Sequence, residues 1–471
     1  LCKMHKNKEN FTMKKAKLLV TSAVIAAMSV TTFAGCGNSE GQGTSNQGDS
    51  TTATEAAAND AQAAEAGGGS VYMLNFKPEV DQQMQDIANV YTEQTGVPVT
   101  IVTAASGTYE QTLTSEMAKT ECPTIFFFEP SFKNDWKDYM YDFTGTFFDE
   151  HLTAEPERLD SGEYVGIPYA VESYGIIYNV DLLDQYCALD NAVISSAADI
   201  VDFDTLKAVA DDIQARKDEL GVKGAFTSAG LDGSSYWRYV THLVNMPIYW
   251  EMEDKGVDEL RELDGTYVYG YKNLMDLYFT DSTCDPKLLS GKTGDDAMAE
   301  FCEGQAVFYQ NGTWAWTPDN DMADMNVAFL PLYTGVPAEK DAIGVCSGSG
   351  NFMAVNKKAS PENVDASLKF LEWLFSSDEG KEAVAGAMAF NCPMDTFSDI
   401  KLENPLFASA NSYVEAGKTA VSWKGFNQIP DENWKTELSS ALIEYAQGTG
   451  DWDTVEKCFT EKFAEEWATK E

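Results

Sequence analysis

The chain has 471 residues, with 33 lysines and arginines against 75 aspartates and glutamates, which gives a formal net charge of −42. Apolar residues make up 44% and aromatic residues 12% of the composition, enough to build packed cores, so a wholly disordered or collagen-like chain is excluded. Nucleic-acid binding needs clustered cations that neutralise phosphates, and such strong acidity argues against it. The length predicts about two or three domains.

The N-terminal segment has the pattern of an export signal. A basic stretch, KKAK at residues 14–17, precedes an apolar run over residues 18–34 that is short for a membrane-spanning helix. We therefore interpret residues 1–35 as upstream residues and a signal peptide. The sequence FAGC at residues 33–36 resembles the lipobox of bacterial lipoproteins, although Phe33 stands where leucine is usual. The resemblance implies that Cys36 is lipidated and anchors an exported protein to the outer face of the cell membrane.

A polar segment separates this signal from the folded part of the chain. Residues 36–70 are rich in Gly, Ser, Thr, Asn, Gln and Ala, without a hydrophobic period, and we interpret them as a flexible linker. Of nine cysteines, Cys2 and Cys36 precede the folded part, which leaves seven. Their spacing is irregular and contains no C-x-x-C, so no zinc or thioredoxin-type site is expected, and their pairing stays open.

Strands and helices alternate at the start of the folded part. Strand, helix, strand, helix and strand are predicted in turn over residues 71–76, 80–94, 97–102, 108–119 and 124–128. This order predicts β-α-β units and a parallel sheet covered on both faces. Later helices are predicted over residues 204–220, 364–375, 434–447 and 454–468, and later strands over residues 327–332 and 351–356.

Four stretches, in order, carry a family resemblance. The first three are YTEQTGVPVTI at 91–101, ECPTIFFF at 121–128 and GIPYAVESYGIIYNVDLL at 166–183. The fourth consists of three segments, QNGTWAW at 310–316, FLPLYTG at 329–335 and GSGNFMAVNKKASPENVDASLKFLEWLFSSDEGKEAV at 348–384. The chain resembles family 1 of the extracellular solute-binding proteins of bacterial ABC importers, in the carbohydrate-binding group that includes maltodextrin-binding protein. The order and spacing hold from about residue 71 to the last residue.

The resemblance implies an α/β fold of the type II periplasmic-binding-protein kind, with a ligand cleft between two lobes joined by hinge crossings. Lobe 1 is expected to comprise residues 71–178 and 343–400, and lobe 2 residues 179–342 and 401–471. The chain is then expected to cross between lobes near residues 173–179, 341–350 and 397–407. Glycines are expected to supply backbone freedom at these crossings, namely Gly175, Gly344, Gly348 and Gly350.

The resemblance also implies ten ligand-binding residues. Sugars are bound by flat aromatic faces that stack on the ring and by polar groups that pair with hydroxyls. The aromatic candidates are Phe76, Phe128, Tyr236, Trp237, Trp314, Trp423 and Trp434. The polar candidates are Lys77, Glu129 and Glu172. Where maltodextrin binders carry an acidic–basic pair after the position of Phe128, this chain has PSF at 130–132, which argues against maltose itself.

The implied function is that of a lipid-anchored, monomeric substrate-binding protein. It would capture a carbohydrate, of oligosaccharide size, by lobe closure and deliver it to the permease subunits of an ABC importer. No catalytic residue, metal or cofactor is expected, because the three histidines are isolated and SGKTG at 290–294 lacks the first glycine of a P-loop. Two alternatives stay open: a receptor for a polyamine or another small solute, which the acidity suggests, and an extracellular glycosidase.

Overall fold

The structure is a computed structural model that describes residues 68–105, 107–228, 230–233 and 235–470. The predicted signal peptide, the predicted lipidation site Cys36 and the linker up to residue 67 lie outside the described residues. No helix in the described part of the chain is long and apolar enough to cross a membrane.

The described residues form twelve strands and fifteen α-helices. The strands are β1 (Val71–Asn75), β2 (Val99–Thr103), β3 (Ile125–Phe128), β4 (Glu157–Arg158), β5 (Tyr164–Pro168), β6 (Glu172–Asn179), β7 (Gly224–Phe226), β8 (Ala306–Gly312), β9 (Val327–Leu330), β10 (Ile343–Gly348), β11 (Phe352–Val355) and β12 (Thr419–Ser422). The helices are α1 (Asp81–Thr95), α2 (Tyr109–Met117), α3 (Lys133–Trp136), α4 (Phe147–His151), α5 (Val180–Cys187), α6 (Phe203–Ala215), α7 (Lys217–Leu220), α8 (Val244–Lys255), α9 (Val268–Thr280), α10 (Gly294–Cys302), α11 (Pro361–Ser376), α12 (Asp378–Lys381), α13 (Pro405–Glu415), α14 (Glu432–Gln447) and α15 (Trp452–Ala468).

The first lobe is built on a sheet with the strand order β2-β1-β3-β11-β5-β4. Strand β1 pairs in parallel with β2 and β3, with Met73 opposite both Ile101 and Ile125, as the alternation of strands and helices predicts. Strand β11 pairs antiparallel with β3 and β5, and β4 pairs antiparallel with β5. The sheet is therefore mixed and not wholly parallel, because the pairs β11–β3, β11–β5 and β4–β5 are antiparallel.

The second lobe is built on a sheet with the strand order β12-β10-β6-β8-β7, and β9 also pairs with β6. Strand β6 is the centre of this sheet, since it pairs antiparallel with β10, β8 and β9. One large apolar core surrounds this sheet, whereas the first sheet carries a separate core on each face. All seven cysteines in the described residues are free thiols, so packing and not disulfide bonding holds both lobes together.

The two sheets place the crossings between lobes a few residues from the predicted boundaries. Strands β6 and β10 lie wholly in the second sheet, whereas β5 and β11 lie in the first, so the chain crosses at residues 169–171 and 349–351. The predicted boundaries at 178 and 343 assign β6 and β10 to the wrong lobe. Both strands are apolar for most of their length, and such a pattern does not reveal which sheet a strand joins.

The glycines near the crossings allow close packing and do not supply unusual backbone angles. None of the four has a positive φ. A Cβ atom on Gly175 would lie 2.5 Å from the carbonyl oxygen of Leu330, and one on Gly348 or Gly350 would lie 2.8 or 2.9 Å from the ring of Trp423. The expected role in backbone freedom is therefore corrected: Gly175 leaves room for strand β9, and Gly348 and Gly350 leave room for a tryptophan ring.

We expect Gly175→Ala to lower the free energy of unfolding by about 1–3 kcal/mol, because the added methyl group overlaps the backbone of β9 in a packed sheet. Urea unfolding followed by circular dichroism measures this change. Gly291→Ala is the matched control, since a Cβ atom there meets nothing within 4 Å and its φ is not positive. Equal unfolding midpoints for Gly175→Ala and Gly291→Ala would contradict the packing role.

Candidate functional site

A cavity of about 250 Å³ lies between the two lobes. The first lobe lines it with the loops that follow β1 and β3 and with the first turn of α2. The second lobe lines it with the turn before α8, the segments after β8 and β12, and the first turn of α14. Glu172 and Asn351 line it where the chain crosses between lobes. Segments far apart in the sequence therefore share one site.

Eight of the ten residues predicted to bind ligand line this cavity: Phe76, Lys77, Glu129, Glu172, Tyr236, Trp237, Trp314 and Trp423. The remaining two, Phe128 and Trp434, are fully buried and do not line it. The structure therefore brings most of the predicted set together and excludes two of its aromatic members.

Trp434 is a core residue of the second lobe. Its indole Nε1 donates a hydrogen bond of 2.9 Å to the carbonyl oxygen of Cys458, and its ring packs edge-on against Phe459. It shares the buried face of α14 with Leu438, one helical turn later. The predicted stacking role of Trp434 is therefore wrong. Its neighbour Lys435, about 100° farther around the helix, lines the cavity instead, together with Glu432 and Thr436.

Phe128 is likewise a core residue, on one face of the first sheet. Its ring lies 6.1 Å from that of Phe352, and a Cβ atom on Gly166 would meet it at 2.7 Å, so a glycine is needed to make room. Side chains alternate across a strand, which sends Phe126 and Phe128 into the same core. The predicted stacking role of Phe128 is wrong for this reason, and Glu129, just past the strand end, lines the cavity instead.

Lys77 holds two carboxylates of the cavity. Its Nζ lies 2.7 Å from Oε1 of Glu172 and 3.2 Å from Oε1 of Glu79. The buried side chain of Asn75 fixes the turn after β1, since its Oδ1 accepts from the Lys77 amide and its Nδ2 donates to the Lys77 carbonyl. Burial opposes the charge of Lys77, but the neighbouring carboxylates outweigh it and raise its pKa well above the ordinary value. The buried ammonium group therefore stays charged.

Lys435 joins the two lobes across the cavity. Its Nζ lies 3.1 Å from Oε2 of Glu129 in the first lobe and 2.7 Å from Oε1 of Glu432 in its own helix. The Lys435 residue is only 3% exposed, so its ammonium group is shielded from water. Beside it, burial and then repulsion by Glu129 raise the pKa of Glu110 to about 8. The Glu110 carboxyl is therefore mostly protonated at neutral pH and can donate a hydrogen bond.

Aromatic rings form the wall of the cavity on the second lobe, and His242 lies among them. The imidazole stacks on Tyr174, with ring centroids 4.3 Å apart and an interplanar angle of 21°. Trp314 lies 4.9 Å from it, and Trp237 packs edge-on at 5.0 Å. Burial, reinforced by the nearby charge of Arg238, lowers the pKa of His242 well below its ordinary value. The imidazole is therefore neutral at physiological pH.

Several polar cavity residues lie outside the sequence prediction, among them Glu79, Glu110, His242, Glu432 and Lys435. For Lys435 the sequence does contain a signal, because the apolar spacing of residues 434, 438 and 442 turns Trp434 inward and leaves the next position outside that face. For His242 it does not, because its direction depends on a π-helical turn over Arg238–Leu243.

Comparisons with known proteins agree with this architecture. The model of the bacterial extracellular solute-binding protein family matches residues 86–401. A sugar transporter of Bacillus licheniformis in complex with stachyose has a TM-score of 0.62 at 16% identity, over 84% of this chain and 100% of that chain. RafE in complex with raffinose has a TM-score of 0.64 at 14% identity, over 84% and 99%. A chitin oligosaccharide binding protein has a TM-score of 0.66 at 16% identity, over 85% and 99%. These likenesses show a shared two-lobed fold.

We expect Lys435→Met to separate the lobes. The substitution keeps the length of the side chain but leaves Glu129 and Glu432 facing each other without their cation. Removing one partner of a buried ion pair typically costs about 2–5 kcal/mol. We expect Lys435→Met to destabilise the closed arrangement of the lobes by an amount at the low end of this range, because both carboxylates keep some contact with solvent. Small-angle X-ray scattering of the protein without added ligand measures the expected rise in the radius of gyration.

The matched control is Lys133→Met, which removes an ion pair of 2.8 Å with Glu157 inside the first lobe. That variant should keep the radius of gyration of the wild type. If both lysine variants scatter like the wild type, the pair between Lys435 and Glu129 does not hold the lobes together.

Proposed function

This chain belongs to the bacterial extracellular solute-binding protein family, and from that membership we propose that its interlobe cavity captures an oligosaccharide for an ABC importer. The observation that carries the proposal is the chemistry of the cavity wall. Three tryptophan rings of the second lobe face two lysine–carboxylate clusters, one centred on Lys77 and one on Lys435. Sugar rings offer C–H faces to the former and hydroxyls to the latter.

In this proposal, the free energy of ligand binding also drives lobe closure. The walls of the cavity come from both lobes, so a ligand that fills it gains its full set of contacts only when the lobes are together. A ligand shifts such an equilibrium only by its difference in affinity for the two arrangements. Contacts from both walls provide that difference, and the closed form is the state that would dock on the permease.

Structural neighbours support a carbohydrate ligand, and their bound sugars range from tagatose and maltose to oligosaccharides. They include proteins in complex with stachyose and with raffinose, and a chitin oligosaccharide binding protein. The cavity volume of about 250 Å³ lies just below the usual range for ligand pockets, so the cavity encloses only part of an oligosaccharide.

A polyamine is the second candidate ligand. The cavity is lined by five glutamates and two lysines, so it carries more carboxylates than ammonium groups. A cation placed near Glu110 would favour the ionised form of that carboxyl. Against this candidate, four of the five glutamates already pair with a lysine. The glycosidase alternative has no observation in its favour, and we propose a binding protein that does not hydrolyse its ligand.

A thermal-shift screen followed by calorimetry decides between these ligands. The probes are stachyose, raffinose, maltotriose, chitotriose and spermidine. A ligand at 100 times its dissociation constant stabilises the protein by about 2.7 kcal/mol, well within detection. Stabilisation by a sugar supports the proposal, whereas stabilisation by spermidine alone supports the second candidate. Release of reducing sugar during incubation would overturn the assignment as a binding protein.

We expect Trp314→Ala to weaken binding of the best sugar by about 1–3 kcal/mol, through loss of a stacking face and of buried area. Calorimetric titration measures the affinity, and the folded state should persist because a cavity residue leaves no closed void. Trp373→Ala is the control. Trp373 lies on helix α11 and packs on Tyr91 of helix α1, and neither residue lines the cavity. Equal affinities for both variants would remove Trp314 from the site.

Membrane attachment is proposed through Cys36, on the basis of the FAGC sequence and the polar linker after it. We expect Cys36→Ala to move the protein from the membrane fraction to the soluble fraction, because the proposed acyl chains are attached to that cysteine. Sugar affinity should not change, since the cavity is built entirely from residues after position 75. Fractionation and immunoblotting measure the first effect, and retention of the variant in membranes would contradict the anchor.

A further inference from the structure

We infer that His242, Trp314 and Trp423 form a polar subsite within the aromatic wall, which binds an uncharged hydroxyl group of the ligand. This inference rests on the proposed capture of an oligosaccharide and adds a specific hydrogen-bonding role to a wall that would otherwise serve only for stacking. All three side chains line the cavity.

The first observation is a concentration of polar atoms without partners. Nδ1 of His242, Nε1 of Trp314 and Nε1 of Trp423 are buried, and none has a hydrogen-bond partner among the described residues. Their rings form one group, with the imidazole centroid 4.9 Å from that of Trp314 and 6.0 Å from that of Trp423. The three unpaired nitrogens therefore belong to one cluster of rings that lines the cavity.

The second observation is that packing alone does not account for a histidine at this position. The neighbours of the imidazole are the rings of Tyr174, Trp237, Trp314, Trp423 and Phe426. A phenylalanine would fill the same space without a buried nitrogen. Leaving a buried donor or acceptor unpaired is unfavourable, and most such groups in native proteins are paired. A ligand that supplies the missing partner explains why nitrogens are present here.

The chemistry of the three rings selects the group that binds. An indole Nε1 only donates a hydrogen bond, whereas a neutral imidazole has one donor and one acceptor nitrogen. An ammonium group has no acceptor and leaves both indoles unpaired. A hydroxyl group accepts from an indole and donates to the imidazole, so it satisfies both. The nitrogens are enclosed by neighbouring rings, so binding requires small rotations of these side chains, which are common at binding sites.

The test compares His242→Phe, His242→Gln and the wild type in two measurements. Calorimetric titration uses the tightest sugar among stachyose, raffinose, maltotriose and chitotriose, and thermal unfolding is followed without ligand. We expect His242→Phe to lose about tenfold in affinity, equivalent to 1.4 kcal/mol, and to unfold at the same or a higher temperature than the wild type. His242→Gln restores a donor and an acceptor and should recover part of the affinity.

The control is His151→Phe, at a half-buried histidine whose Nδ1 lies 2.8 Å from Oδ1 of Asp395, away from the cavity. It should bind sugar like the wild type. Unchanged sugar affinity in His242→Phe, or a clear fall in its unfolding temperature, overturns the subsite while the proposed function stands. A wild type that binds spermidine but no sugar overturns both. If no probe binds the wild type, the proposed function and the subsite that rests on it are both overturned.

Discussion

The contact between Lys435 and Glu129 is the one on which the arrangement of the cavity depends. It joins a helix of the second lobe to the end of a strand in the first, and its ammonium group is nearly inaccessible to water. A buried ion pair adds little net stability, because removing both groups from water costs about as much as their attraction returns. Such a pair instead selects one geometry, because an arrangement that leaves either charge buried without its partner is strongly unfavourable. The same logic applies to Lys77, which lies between Glu172 and Glu79 at the crossing.

The two lysines also explain how an acidic chain can offer a site for a neutral ligand. Carboxylates that faced the cavity without cations would repel each other and favour open lobes. Each lysine instead pairs with two carboxylates, whose oxygens keep further lone pairs that can accept from hydroxyls. On the opposite wall, the neutral His242 adds no charge, because burial among aromatic rings disfavours its protonation. The site therefore combines hydrogen-bonding groups with aromatic faces, and its net charge is low.

Local patterns in the sequence predicted the elements, and long-range contacts decided the rest. The helix expected over residues 434–447 is observed at Glu432–Gln447, because apolar spacing and an Asp431 cap define it locally. Which residues of that helix reach the cavity depends on the side it packs against, and so Trp434 was placed in the site and Lys435 was not. The partner of Lys435 is 306 positions away in the chain. Likewise, the apolar pattern of β6 predicts a buried strand but not the sheet that it joins.

The free thiols of the described residues have a consequence for how this protein reaches its native state. Burial raises the pKa of Cys346 to about 12 and that of Cys302 to about 11, so these sulfurs remain thiols and not reactive thiolates. Folding of this part of the chain therefore needs no oxidase and no disulfide shuffling after export. Its native state contains no disulfide that a reductant could break, so the same fold persists in a buffer containing reductant.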